Sequence, residues 1–170
     1  MTAITESAIT SVTAESLRDI LQSAGYRVEL VTDANSDIAI LRSSTAGFAF
    51  DIRPGNRLAE RKDQFVDFTF SAWLNIEGEL PLDVVNRWNA LRRFGRLQVV
   101  PGFLALVMDV SMIGGVMPDF IKAQLEIWDH LVQALVPYLR DELQKLGSAV
   151  PQATAETPAD DAPAPEARVA

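Results

Sequence analysis

The 170-residue chain has no cysteine and a single histidine. Disulfides are excluded, and so are thiolate zinc or iron–sulfur sites and any metal site needing several imidazoles. No cofactor is expected. Basic residues are few: 15 Lys and Arg face 23 Asp and Glu, a formal charge of −8. So acidic a surface repels phosphate backbones at long range, and no nucleic-acid partner is expected. Long apolar runs are missing too. The longest, residues 99–108, is interrupted by Pro101-Gly102 and closed by Asp109. A bilayer span needs roughly 20 apolar residues, so no membrane association is expected. The N-terminal stretch has neither a basic n-region nor an apolar h-region and does not read as a signal peptide. A reducing cytoplasm is the simplest compartment.

What is present is a hydrophobic fraction of 48%, enough for one domain with one buried core. Composition changes after Gly147. Residues 148–170 are rich in Ala and Pro and hold Glu156, Asp160, Asp161 and Glu166 against Arg168 alone. With almost no large apolar residue after Val150, this stretch cannot offset its ordering entropy and is expected to be a disordered acidic tail. Residues 1–12, rich in Thr and Ser, are expected to be a flexible arm. The folded domain is expected over residues 13–147.

Within it, Thr13 is suited to cap a helix whose stripe is Leu17, Ile20 and Leu21, ended by Gly25. Strands are predicted over residues 26–32, 37–42 and 47–52, with Asp33-Ala34-Asn35-Ser36 as a turn and Ser43-Ser44-Thr45 as a polar break. The clearest strand follows: Val66, Phe68, Phe70, Ala72, Leu74 and Ile76 alternate with Asp67, Thr69, Ser71, Trp73 and Asn75. A helix is predicted from Pro81 to about Phe94-Gly95, lined by Val84, Val85, Trp88 and Leu91. Strands over residues 96–100 and 103–112 are joined by Pro101-Gly102, which favours type II geometry and allows for a loop longer than two residues. A last helix runs from Pro118-Asp119 toward Leu146, with Pro137 expected to kink it. The order helix, strands, helix, hairpin, long helix implies an antiparallel α+β domain.

The stretch Asn86-Arg87-Trp88-Asn89, then Arg92-Arg93-Phe94-Gly95-Arg96, then Gly114-Gly115-Val116 before the long helix, resembles the YbjN-type family, described as bacterial sensory transduction regulators. The resemblance covers most of residues 17–143. It implies a fold similar to class I type III secretion chaperones, a twisted antiparallel sheet packed by helices and often a homodimer. It implies no catalytic residue. Pro101-Gly102 replaces a more usual polar turn, Met117 stands where a capping Ser or Thr is expected, and the acidic tail departs from the pattern.

Candidate sites are few. Asn86 and Asn89 flank Trp88 and read either as ligand contacts or, preferably, as amides that satisfy backbone groups of the following hairpin. Arg87, Arg92, Arg93 and Arg96 can grip a carboxylate or phosphate bidentately, but surface ion pairing is favoured. Arg53, Arg57, Arg61 and Lys62 form a second basic set in a flexible-looking loop. Trp73 faces away from Phe68 and Phe70, either as an interface anchor or covered by a helix. His130 reads as a surface residue without a nucleophile partner. Asp33, Asn35 and Asp37 imitate a calcium loop, yet Ile38 and Ser44 occupy its required Gly and Glu places. The expectation is a non-enzymatic regulatory or chaperone-like module that binds a protein partner. The alternative is a small-ligand sensor or cryptic enzyme with a pocket near Asn86, Trp88, Asn89 and Arg93.

Overall fold

The computed structural model describes residues 7–32 and 38–148. Helix α1 spans Ala14–Ser23, and strands β1 Glu29–Thr32, β2 Ala39–Thr45 and β3 Phe48–Pro54 follow. A short ribbon, β4 Arg57–Leu58 and β5 Arg61–Phe65, leads to β6 Asp67–Asn75. Helix α2 Leu82–Leu91, the hairpin β7 Arg96–Val100 and β8 Phe103–Ser111, and helix α3 Pro118–Ser148 complete it. The fold is α+β: six antiparallel strands in the order β1-β2-β3-β6-β8-β7, with three helices. Among the described residues no helix is long and apolar enough to cross a membrane.

Local chemistry explains most boundaries. Thr13 and Ser16 form a reciprocal capping box at the start of α1. Gly25, at φ +92°, lets Tyr26 N–H reach back to Leu21 O at 3.1 Å in a Schellman ending. That backward bond ties Tyr26 to the helix, so β1 starts three residues later than its pattern suggests. Ala46 and Gly47 both have positive φ and supply the β2–β3 turn.

Several expectations change. Ser43-Ser44-Thr45 is not a break but the end of β2, because buried Ser43 satisfies its hydroxyl on Arg27 O at 2.7 Å. The stretch holding Arg57, Arg61 and Lys62 is the β4–β5 ribbon, not a loop. Helix α2 stops at Leu91, short of Phe94-Gly95, and Leu91 is exposed; Phe94 then adopts φ +67°. The β7–β8 loop has only two residues, Gly102 taking the φ of +80° that type II geometry needs. Its carbonyl accepts from Ile76 N–H at 3.2 Å, which clips the turn to the end of β6.

Residues 7–12, expected as part of a free arm, are held by backbone pairing. Ile9 exchanges bonds with Val116 at 2.8 and 2.9 Å, Val12 with Phe65 at 2.9 and 2.8 Å, and Val12 is buried. Ile9 and Val12, three residues apart among Thr10, Ser11 and Thr13, make too weak a pattern to read as structure. Residues 1–6, the turn and calcium-loop imitation at 33–37, and the tail at 149–170 lie outside the described residues.

The core is one-sided. The register Leu41↔Ile52↔Phe70↔Met108 places these side chains on one face, with Phe50, Phe68, Ala72, Leu104 and Leu106. All belong to a single buried cluster with Leu17 and Leu21 of α1, Trp88 of α2 and Trp128 of α3. Trp128 stacks on Phe70 at 5.3 Å and leans on Phe50 at 5.7 Å. Gly95 is needed beneath α3, since a Cβ there would lie 2.7 Å from a Leu131 methyl. All three helices thus share one face, and among the described residues no helix covers the other.

Candidate functional site

The bare face is written by the same period of two. Thr69, Ser71 and Trp73 of β6 lie beside Asp109, Val107 and Ala105 of β8. Trp73 is 49% exposed and packs edge-on against Phe103, itself 40% exposed, at 6.1 Å and 88°. The sheet floor around them is low, being made of Ser71, Ala105 and Val107. Two ionic groups flank the aromatic pair. On one side Arg42 grips Asp51 with Nε at 2.8 Å and Nη2 at 3.2 Å, and Arg53 lies 4.0 Å from the same carboxylate. On the other, Asp109 accepts from Arg96 at 2.6 Å and from the Thr69 hydroxyl at 2.7 Å. Partial burial alone would raise the Asp109 pKa, but these donors outweigh it and hold it below the ordinary carboxylate value. Between Trp73 and the Arg42–Asp51 pair lies a cleft of about 270 Å³, floored by Ser71.

The other candidate residues are placed apart from this face and from one another. Trp88 is fully buried, edge-on to Tyr138 at 5.2 Å. Tyr138 in turn donates to Val84 O at 2.5 Å. Asn89 accepts from Leu97 N–H at 2.8 Å and donates to Leu97 O at 3.1 Å, so its amide serves the hairpin. Asn86, one turn before Asn89 on α2, is exposed. Trp88 is thus enclosed by the core and Asn89 is spent on Leu97, so neither is free to line an open pocket with Asn86 and Arg93.

Arg92 rests its guanidinium over the Trp88 ring at 5.3 Å. With Arg93, Leu91, Phe94 and His130 it borders a hollow of about 290 Å³ between the end of α2 and α3. Arg87 instead bonds buried Glu142, which also accepts from Lys145 at 2.8 Å. Those two bonds, Lys145 first, push the Glu142 pKa down. Arg57 covers the Phe65 ring at 5.7 Å and Arg61 reaches Gln64 at 3.4 Å. His130 is exposed, its Nδ1–H donating to Glu126 O at 2.7 Å. Among the described residues no group of three or more His, Asp or Glu converges as metal ligands would.

Sequence reasoning missed Phe103 as the partner of Trp73, because the pairing needs the β6–β8 register. It also missed an apolar groove of about 510 Å³ between the sheet end at Phe48 and Leu74 and the α3 residues Val136, Leu139 and Leu143.

Comparison with known proteins gives two matches. The family model YbjN, described as "Putative bacterial sensory transduction regulator", matches residues 13–141. Among solved structures the chain is similar to the crystal structure of YbjN from E. coli, described there as a putative transcription regulator. The two share 15% identity over 71% of this chain and 84% of that one, with a TM-score of 0.52, a likeness that shows the fold. No curated protein sequence matches significantly.

Proposed function

The chain belongs to the YbjN family, and from that premise we propose that it is a regulatory module that binds a protein partner across the bare face of its sheet and performs no chemistry itself. The observation that carries this reading is the half-exposed Trp73, braced by the partly exposed Phe103 on a face that no described helix covers. A large aromatic left outside a core that has room for two other tryptophans serves well as an anchor, because it offers wide contact at small entropic cost. The flanking Arg42–Asp51 and Arg96–Asp109 pairs form a polar rim that selects orientation more than it adds affinity. A cytoplasmic setting fits the lack of cysteine. Homodimerisation belongs to the same proposal, as the family resemblance implies.

The test is affinity capture from the native cell with wild-type and Trp73→Ala baits. Partners lost on substitution, by at least about tenfold as expected for an anchor worth 1.4 kcal/mol or more, support the reading. Identical capture by both baits refutes it. A thermal-shift screen yielding a strongly stabilising small molecule favours a ligand sensor instead.

A further inference from the structure

The cleft beside Trp73 has a chemistry of its own. Ser71 is 4% exposed, and its Oγ has no hydrogen-bond partner among the described residues. A covered hydroxyl left unpaired is costly, and a guest that bonds it recovers that cost. Next to it, both oxygens of Asp51 are engaged by Arg42. Arg42 spends Nε and Nη2 on that grip and feels the charge of Glu29 across the β1–β2 pair, while its Nη1 makes no hydrogen bond to a described residue. The cleft therefore offers a surplus of donors, the Ser71 hydroxyl and the Arg42 Nη1, with its one carboxylate already satisfied. Its volume of about 270 Å³ suits one side chain, since whole small-molecule ligands usually occupy about 300–1,000 Å³.

Resting on the reading of this face as a docking surface, we infer that Ser71 and Arg42 receive an acidic side chain of the partner protein while the Trp73–Phe103 pair takes a large apolar residue next to it. A carboxylate answers both donors at once, and charge-assisted bonds are the stronger kind. The chain's own acidic tail is a poorer guest. None of Glu156, Asp160, Asp161 and Glu166 has a large apolar residue within two positions, so none can fill both halves.

The probes are N-acetyl-Glu-Leu-amide and its Gln counterpart, titrated into the full chain while the Trp73 indole N–H is followed by NMR and assigned with Trp73→Phe. The Glu peptide shifts that signal saturably, and the Gln peptide binds about tenfold more weakly, the loss of one charge-assisted contact. Ser71→Ala weakens the Glu peptide about fivefold without harming the fold, since the hydroxyl it removes has no partner; Arg42→Gln gives a second, independent loss. Equal binding of the two peptides, no shift with either, or full binding by Ser71→Ala overturns the inference. Tighter binding once the four tail acids are replaced by amides also overturns it, assigning the cleft to the tail. In native capture, partners lost with Trp73→Ala but kept with Ser71→Ala sink the carboxylate receptor and leave the docking face standing; partners kept by both sink the face itself.

Discussion

Replacing Asn89 by Ala separates a structural amide from a ligand contact. Strand β7 is an edge of the sheet, and Leu97 pairs with Leu106 of β8. The N–H and C=O of Leu97 point outward from that pair, and Asn89 takes both, at 2.8 and 3.1 Å. The amide thus seals the edge strand and pins the last turn of α2 to it. Leu97 is 2% exposed, so water reaches these groups poorly once the amide is gone. At about 1–3 kcal/mol for each buried group left unpaired, with partial relief from relaxation, the loss should be about 2–4 kcal/mol. For a domain of this size that lowers Tm by about 10 °C. Urea denaturation reads it as a lower midpoint at unchanged slope. Asn89→Asp at neutral pH should do no better, because a carboxylate accepts from Leu97 N–H but faces Leu97 O without a proton to give. A loss under about 0.5 kcal/mol, the range of an ordinary surface substitution, would refute this account and return Asn89 to the binding candidates.

Two further outcomes follow from the same geometry. Trp73→Ala should cost about 1 kcal/mol or less, because half of the ring is already in water, whereas Trp128→Ala, fully buried on Phe50 and Phe70, should cost about 3–5 kcal/mol; equal losses would mean that Trp73 is covered in solution. The depressed Asp109 pKa makes its ionised form a stabiliser above the ordinary carboxylate value, and that stability starts to fall at about pH 4 and is lost as pH drops through the lower folded-state value. Asp109→Asn should therefore be less stable than wild type at pH 7, by under about 1 kcal/mol for so exposed a group, with the gap narrowing as pH falls below about 4. A gap that stays constant from pH 7 to the acid limit of folding contradicts the ionic account.

Much of this architecture is legible residue by residue. Thr13, Gly25 and Gly102 act through their own backbone, so their sequence positions predict the cap and turns that form. The alternation through β6 predicts which side chains share a face, and with it that Trp73 parts company with Phe68 and Phe70. Illegible were features that need a partner distant in sequence. Ser43 looks like a break until Arg27 O is beside it, and the stretch around Arg57 looks like a loop until Arg57 and Phe65 pair. Helix α2 ends sooner than its apolar pattern predicts because Arg92 already turns extended, and Phe94, apolar and in phase, lies beyond that turn at a positive φ that no side-chain pattern reports.

The candidate site divides along the same line. The order of local bonds along the chain settles periodicity and capping, since each depends on neighbours within about one turn or one pleat. Sequence by itself determined the fold class, the family and the face on which Trp73 lies. Only the tertiary structure decided that this face stays bare, that Phe103 braces the ring, and that Ser71 is buried beside Arg42 without a partner. Those depend on where three helices dock and how strands far apart in sequence come into register, and packing of the whole core selects both.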